Sequence, residues 1–364
     1  MRKPIMTTKS KKYYDLPQFF ELFDDFVNDA YTGRRTKKSG KRIERDTIYA
    51  YDNLRKHLEE FSMQTSFELK IFIDSHLTQE ERIAANRYYK KFYMNFLNFL
   101  YDDKKCFDNY VGHLIKGIRC FFNYLLIDRQ IPIGTYHKFF FVPKEEIPIV
   151  ALTSDQLNFI ICNESFQELI QTKKLERIRD VFVFGCSVAL RVSDLLHLSA
   201  KNLIVKDGNY YLQVKSRKTA ALTSIKLPRY CIDIIDKYKN EGHFLLPVMT
   251  AQYFNRKLKD LAIYFPDNYE YVKVRERRGK QVVVYKDPIK KLHFKLSDHI
   301  SSHTMRRTAI SVMLNLGMPE HIVRKISGHA PNSREFYRYV QLAQSTIDFE
   351  SDRIFNKIGS KRKK

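Results

Sequence analysis

Two prolines bracket the stretch Val142-Pro143-Lys144-Glu145-Glu146-Ile147-Pro148 and divide the chain into halves of different character. Proline carries no N–H and steers the residue before it away from the helical region, so neither a helix nor a central strand runs through such a segment. The chain is therefore expected to fold as two bodies, which its 364 residues suit. On the N-terminal side apolar residues recur at helical spacing. Asp15-Leu16-Pro17 opens the first helix, with Phe19, Phe20, Phe23, Phe26 and Val27 as its apolar residues. Ile48, Tyr51, Leu54, Leu58 and Phe61 mark a second. A third covers roughly 79–101, and a fourth, roughly 108–128, carries Val111, Leu114, Ile118, Phe121, Phe122 and Leu125. Such stripes are core, so the first half predicts a small helical bundle with Lys and Arg on its outer faces. Residues 33–46 (GRRTKKSGKRIERD) read either as a solvated linker or as a phosphate contact.

Beyond the prolines, Thr153 and Gln156 form a capping-box pattern that opens a helix after Leu152. Ile178, Val181, Phe182, Val188 and Ala189 make another helical stripe, interrupted by Gly185. Tyr211–Ser216 alternates as a strand and Thr223–Leu227 returns, which predicts a hairpin whose turn holds Arg217, Lys218 and Thr219. Gln281–Tyr285 reads as a short strand in a stretch, 269–292, that offers no evident chemistry. The fold class expected is mainly α with a small antiparallel β-sheet, in two domains.

A net charge of +23 with a pI near 9.6, accompanied by 23 Tyr and 27 Phe, points to a polyanionic partner. Counterion release would make its binding steeply salt-dependent. Five scattered cysteines (Cys106, Cys120, Cys162, Cys186, Cys231) signal neither a zinc site nor a disulfide framework. Cys120 and Cys186 read as core thiols. No apolar stretch follows the basic start MRKPIMTTKSKK, and no run approaches eighteen apolar residues. A chain that is intracellular and has no signal peptide or membrane span is therefore expected.

The chemistry-bearing residues lie in the second half. Arg191 follows an apolar run in Ala189-Leu190-Arg191-Val192-Ser193-Asp194-Leu195, where burial without a partner is costly. It reads as a phosphate clamp or as a salt bridge to Asp194, with Ser193-Asp194 placed to cap the next helix. His303 and Arg306 stand three apart after Ser301-Ser302, on one face of a first helical turn whose free N–H groups favour an anion. Gly328 reads as a helix-ending glycine and delivers His329 from the following turn. Tyr337 and Tyr339 lie just beyond. Guanidiniums clamp phosphate oxygens bidentately, imidazoles donate or shuttle protons, and a phenol forms a covalent phosphoester. This set needs no metal. Asp102-Asp103, the nearest carboxylate pair, reads as a helix-ending surface turn.

From about Leu152 to Leu342 the ordered set resembles the tyrosine recombinase (phage integrase) family, and within it the integrases and transposases of bacterial mobile elements of the Bacteroides type. The resemblance implies catalytic roles for Arg191, Lys218, His303, Arg306, His329 and Tyr339, with no cofactor and no metal. By that resemblance Lys218, in Ser216-Arg217-Lys218-Thr219, protonates the leaving 5′-oxygen; Lys215 and Arg217 are the alternatives in other registers. Phe336-Tyr337-Arg338-Tyr339-Val340-Gln341-Leu342 is similar to the family frame that places the nucleophile at Tyr339, with Tyr337 as rival. The implied organisation is a basic tail (1–14), a helical core-binding, SAM-like domain (15–142), a linker (143–149), a catalytic domain (150–345) and a C-terminal segment with a basic tail (346–364).

The implied activity is site-specific integration or excision of a mobile element through a 3′-phosphotyrosine intermediate. The implied partners are double-stranded DNA with specific recombination sites, a homo-tetramer on synapsed DNA, and an accessory directionality factor, in a cytoplasmic, nucleoid-associated setting without a membrane. Ile347, Phe349, Ile354 and Phe355 read either as a segment docking on a neighbouring protomer or as packing on their own domain. The competing functions are a type IB topoisomerase-like enzyme without synapsis and a catalytically inactive DNA-binding protein. A covalent protein–DNA adduct separates the last from the other two, and joining of two duplexes separates the first two from each other.

Overall fold

The computed structural model describes residues 12–216, 222–342, 351, 352 and 355. The chain divides into two units, and the division is not a single cut. Unit 1 contains the residues up to Ile147 and also Val274–Val283; unit 2 contains Pro148–Lys273 and the residues from Val284 onward. The chain thus passes between the units three times.

Unit 1 is built on four helices: α1 (Leu16–Thr32), α2 (Arg45–Thr65), α3 (Gln79–Asn98) and α4 (Asp108–Ile127), with a short antiparallel pairing of β1 (Tyr13–Tyr14) and β2 (Ile71–Phe72). The stripes expected from the sequence form its core. Phe19, Phe23 and Phe26 of α1, Leu54, Leu58 and Phe61 of α2, and Leu114, Phe121 and Phe122 of α4 are all buried. Gly117 lets α2 approach α4, because a Cβ there would lie 2.6 Å from Leu54. The third helix ends earlier than expected, at Asn98, and continues as one wider π-helical turn over Phe99–Asp103. Within the basic 33–46 stretch, Arg35 turns inward. Its guanidinium lies 4.2 Å from the Phe26 ring and 2.9 Å from Cys120 Sγ. Cys120, expected in the core, is therefore only half-buried beside a cation, whereas Cys186 is buried as expected.

The unforeseen part of unit 1 comes from far along the chain. β7 (Lys273–Arg277) and β8 (Lys280–Val284) pair across the two-residue turn Arg278–Gly279. Both turn residues have positive φ (53° and 68°), the geometry whose twist matches a hairpin. Two buried carboxylates receive this hairpin. Asp108, at the first turn of α4, accepts the backbone N–H groups of Arg278 and Gly279, both at 2.8 Å, and the Tyr101 hydroxyl at 2.7 Å. Glu145 accepts Arg275 bidentately at 2.9 and 2.6 Å and the Glu276 N–H at 2.7 Å. Pro143 lies against α4 at Gly112, where a Cβ would meet the Pro143 carbonyl oxygen at 2.0 Å. The proline-bracketed segment is therefore fastened to unit 1 at least through Glu145. The 269–292 stretch, which carried no evident chemistry in the sequence, supplies a structural element.

Unit 2 contains α5 (Ser154–Cys162), α6 (Glu164–Thr172), α7 (Glu176–Val188) and α8 (Val192–Leu195), then the sheet strands β3 (Leu203–Lys206), β4 (Asn209–Lys215) and β5 (Leu222–Lys226). These are followed by α9 (Arg229–Tyr238), α10 (Ala251–Ala262), β6 (Glu270–Tyr271), β9 (Phe294–Lys295), α11 (Leu296–His299), α12 (Ser302–Asn315), α13 (Glu320–Ser327) and α14 (Arg334–Leu342). The capping box at Thr153 and Gln156 forms, at 3.0 and 3.2 Å. The expected β4–β5 hairpin forms in antiparallel register, Lys215 opposite Leu222, and β3 joins on the other edge of β4. The β3–β4 turn is Asp207-Gly208, with φ of 50° and 71°. This dipeptide is a hairpin signal readable from the sequence. Helix α7 packs closely on α12. The glycine that interrupted the α7 stripe explains how: a Cβ at Gly185 would lie 2.4 Å from Met305 Sδ. Lys218 lies outside the described residues, as do Arg217 and Thr219, most of the basic tail 1–14, the residues Ile347, Phe349 and Ile354, and the basic C-terminus.

Candidate active site

The ends of α7, α8, α12 and α13, the end of one strand and the helix α14 of unit 2 bring the candidate residues together. Helix α7 stops at Ala189, which adopts the left-handed conformation (φ 55°). This turn aims the chain so that Arg191 begins α8. Ser193 and Asp194, expected to cap that helix, lie inside it instead; Arg191 is its N-cap residue, and its carbonyl accepts the Asp194 N–H at 2.9 Å. The Arg191 guanidinium donates to Ser216 Oγ at 3.0 Å, at the end of β4. Ser216 is buried and was not foreseen.

Arg306 follows Met305, whose side chain fills the notch left by Gly185. It is only 6% exposed. Its Nη1 donates to the Ala189 carbonyl at 2.8 Å, so the arginine is held by the backbone turn that also positions Arg191. Its Nη2 lies 3.2 Å from Nδ1 and 3.1 Å from Nε2 of His329. A point equidistant from both nitrogens in the ring plane would collide with Cε1 or with the opposite ring bond. The guanidinium therefore lies over the imidazole face, where it meets π density, and hydrogen-bonds neither lone pair. Burial, and then the charge of Arg191, push Arg306 down to about 10.

His329 is placed by a helix-ending motif. Gly328 has φ 64°; its N–H reaches the Lys325 carbonyl at 3.3 Å, and the His329 N–H reaches the Arg324 carbonyl at 3.1 Å. These are the two bonds of a Schellman ending, with the glycine where the sequence placed it. Burial, then Arg306, Arg191 and Arg324 in turn, push His329 down to about 3, so the ring is neutral at physiological pH. Its Nδ1 lies 2.8 Å from Ser327 Oγ.

The two tyrosines face different surroundings. Tyr339 is 8% exposed, with its ring 6.1 Å from that of His329, and its oxygen is close enough to Arg306 to act on that arginine's charge. Tyr337 is 48% exposed and lies by Arg324, 5.5 Å from its ring centroid. His303 stands in the first turn of α12 with its side chain exposed, so although it shares that turn with Arg306, only Arg306 is buried. Arg191, Arg306, His329 and Tyr339 are thus brought together, and His303 is presented at the helix N-terminus. Ser216, Ser327 and the Ala189 carbonyl complete the surroundings. Among the described residues no group of His, Cys, Asp and Glu is arranged to hold a metal ion, and no helix is long and apolar enough to cross a membrane.

The phage integrase family model matches residues 152–346, more than half of the chain. The chain belongs to the phage integrase family. It is accordingly a site-specific DNA recombinase of the tyrosine type. No match to a curated protein sequence is found. Solved structures share the fold at low identity. A lambda integrase dimer bound to a COC′ core site aligns with TM-score 0.57 and 14% identity, over 93% of this chain and 81% of that one. The XerH recombinase bound to palindromic difH substrate aligns with TM-score 0.55 and 12% identity, over 95% and 91%. The Tn1549 transposon integrase in complex with circular intermediate DNA gives 0.54 and 17%, over 88% and 94%.

Proposed function

We propose that this recombinase cleaves and rejoins DNA at specific sites through a covalent 3′-phosphotyrosine formed by Tyr339, for the integration or excision of a mobile element. The observation that carries this reading is the inward position of Tyr339 beside Arg306 and His329, with Tyr337 held at the surface near Arg324. The Tyr339 oxygen attacks the scissile phosphorus as the bond to the 5′-oxygen breaks. The phenolic proton passes to solvent water, and the leaving oxygen takes a proton from Lys218. Attack by a 5′-hydroxyl on the phosphotyrosine reverses these steps and regenerates the phenol. Negative charge growing on the non-bridging oxygens is met by Arg191 and by Arg306, which is already desolvated before substrate arrives. His303 adds a donor at the α12 N-terminus, where backbone N–H groups also favour an anion.

Unit 1 serves as the DNA-gripping domain, and binding depends steeply on salt because of the +23 charge. The dimer and Holliday-junction tetramer assemblies of lambda integrase support a tetramer on synapsed DNA here. An accessory factor would set direction. The test is incubation with double-stranded DNA flanking the protein's own gene, with chelator present, followed by trapping in denaturant. A covalent adduct is expected for the wild type and for Tyr337→Phe. Tyr339→Phe should lose it while keeping DNA binding within about twofold. Loss only in Tyr337→Phe would move the nucleophile, and abolition by chelator would end the metal-free mechanism.

A further inference from the structure

Ser327 closes α13 and is 2% exposed, yet its hydroxyl faces an active-site ring. Two groups are within its hydrogen-bond reach: His329 Nδ1 at 2.8 Å, whose role follows the ring's tautomer, and the Arg324 carbonyl at 3.3 Å. One hydroxyl proton serves one of them. The Arg324 carbonyl already receives the His329 N–H at 3.1 Å and that of Gly328, so both its lone pairs are engaged. Nδ1 is nearer and has no other partner along its lone pair, because the Arg306 guanidinium lies over the ring face. The hydroxyl therefore donates to Nδ1.

We propose that Ser327 is a positioning residue that fixes His329 in the tautomer protonated at Nε2, so that the ring offers a hydrogen-bond donor to the scissile phosphate. A neutral imidazole has one N–H, and its location decides whether the ring donates to an anionic oxygen or presents a lone pair to it. Burial, and then the three arginines around the ring, keep it neutral, so protonation cannot supply the second donor. Arg306, which has no lone pair, cannot consume the Nε2–H. The donor is left for an oxygen held between Arg191 and Arg306. The sequence hides this device, because the residue before the helix-ending glycine looks like a helix-terminal serine of no consequence.

The inference rests on the phosphoryl-transfer reading above, and two measurements keep their failures apart. The first needs no DNA: long-range proton–nitrogen correlation spectra of the full chain with labelled histidines, His329 being assigned by its loss in His329→Gln. A neutral ring protonated at Nε2 at pH 7 is expected, and protonation at Nδ1 overturns the proposal whatever the enzyme does. The second is single-turnover cleavage of a nicked duplex carrying the mapped crossover site. Losing one hydrogen bond of about 1.4 kcal/mol, Ser327→Ala should slow cleavage about tenfold with DNA affinity unchanged. Ser327→Thr, which keeps the hydroxyl, should restore most of the rate. In a His329→Ala background Ser327→Ala should have no further effect. An equal tenfold loss in that background would make Ser327 merely structural, and no loss in the wild-type background would remove its role.

Discussion

Arg275 in unit 1 and Arg306 in unit 2 are both arginines largely withdrawn from water, and their surroundings are opposites. Arg275 meets Glu145 fork to fork, and that carboxylate also takes two backbone N–H groups, from Glu276 and Asn109. Burial opposes the charge on Glu145, but these donors outweigh it and hold its carboxyl below the usual range. Arg306 has a backbone carbonyl, an imidazole face and a second guanidinium for neighbours, and its affinity for the proton falls. A paired buried charge contributes to a fold only as long as both partners stay. A buried cation lined mainly by neutral groups is a desolvated charge in want of an anion, which is what phosphoryl-transfer chemistry requires.

The largest expected effect comes from this contrast. Arg306→Gln should lower single-turnover cleavage by on the order of 10³, the scale of losing one preorganised donor or more. Its folding stability should stay within about 1 kcal/mol of wild type, because the charge removed was disfavoured by the fold. Chemical denaturation beside the cleavage assay checks both. A large stability loss with modest loss of cleavage would make Arg306 a structural arginine like Arg275.

Arg275→Ala should do the reverse. It leaves Glu145 buried and unpaired and should cost about 3–5 kcal/mol of unit 1 stability. Adding Glu145→Gln to it should recover part of that loss, because the stranded charge is gone. If Arg275→Ala unfolds nothing, the hairpin is not fastened by this pair.

The same contrast explains what the sequence could reveal. Arg191, Arg306, His329 and Tyr339 stood out because the chemistry demands particular side chains in a particular order. The four bundle helices stood out because a 3.6-residue period is a local property. The partners that hold the site were hidden. Ser216 and Ser327 are ordinary hydroxyls, and the Ala189 carbonyl belongs to the backbone, which carries no residue signature. The hairpin's attachment was hidden for a different reason: Asp108 and Glu145 meet residues about 130 to 170 positions away in sequence, and no local pattern records a pairing over that distance. Asp108 in particular reads as an acid favoured at a helix start, which it also is.

A smaller effect is set by pH, and comparison with His329→Gln isolates it from His137 of unit 1, which burial also pushes down, to about 4. His329 has an unfolded pKa of about 6.5 and is pushed down to about 3 when folded. Below pH 6.5 the unfolded chain takes a proton that the folded site refuses, so stability falls as pH drops through that window. Glu145, whose pKa is lowered, loses its contribution further down, as pH falls below the ordinary carboxylate value of about 4.5 toward its folded one. Between pH 7 and 5 the stability of DNA-free wild type should therefore decline more than that of His329→Gln, and the Glu145 pairing should contribute nothing to the difference. Parallel declines for the two proteins would mean that the ring is not held neutral.

The smallest effect concerns the backbone that joins the two arginines. Ala189 occupies the left-handed region, which costs a residue bearing a Cβ about 1–2 kcal/mol, yet its side chain takes no part in holding Arg306. Only its carbonyl does, and every residue has a carbonyl. Ala189→Gly should therefore relieve the strain, give back most of the gain through the greater freedom of glycine in the unfolded chain and the loss of a buried methyl, and leave stability within about 0.5 kcal/mol of wild type. Cleavage should stay within about twofold of wild type, because the turn and the carbonyl direction are kept. A substantial loss of cleavage without loss of stability would mean that the stiffness of Ala189, and not only its conformation, keeps Arg306 and Arg191 in step. Arg275 offers the control, because its orientation is set by Glu145 in the other unit and should not respond to this substitution.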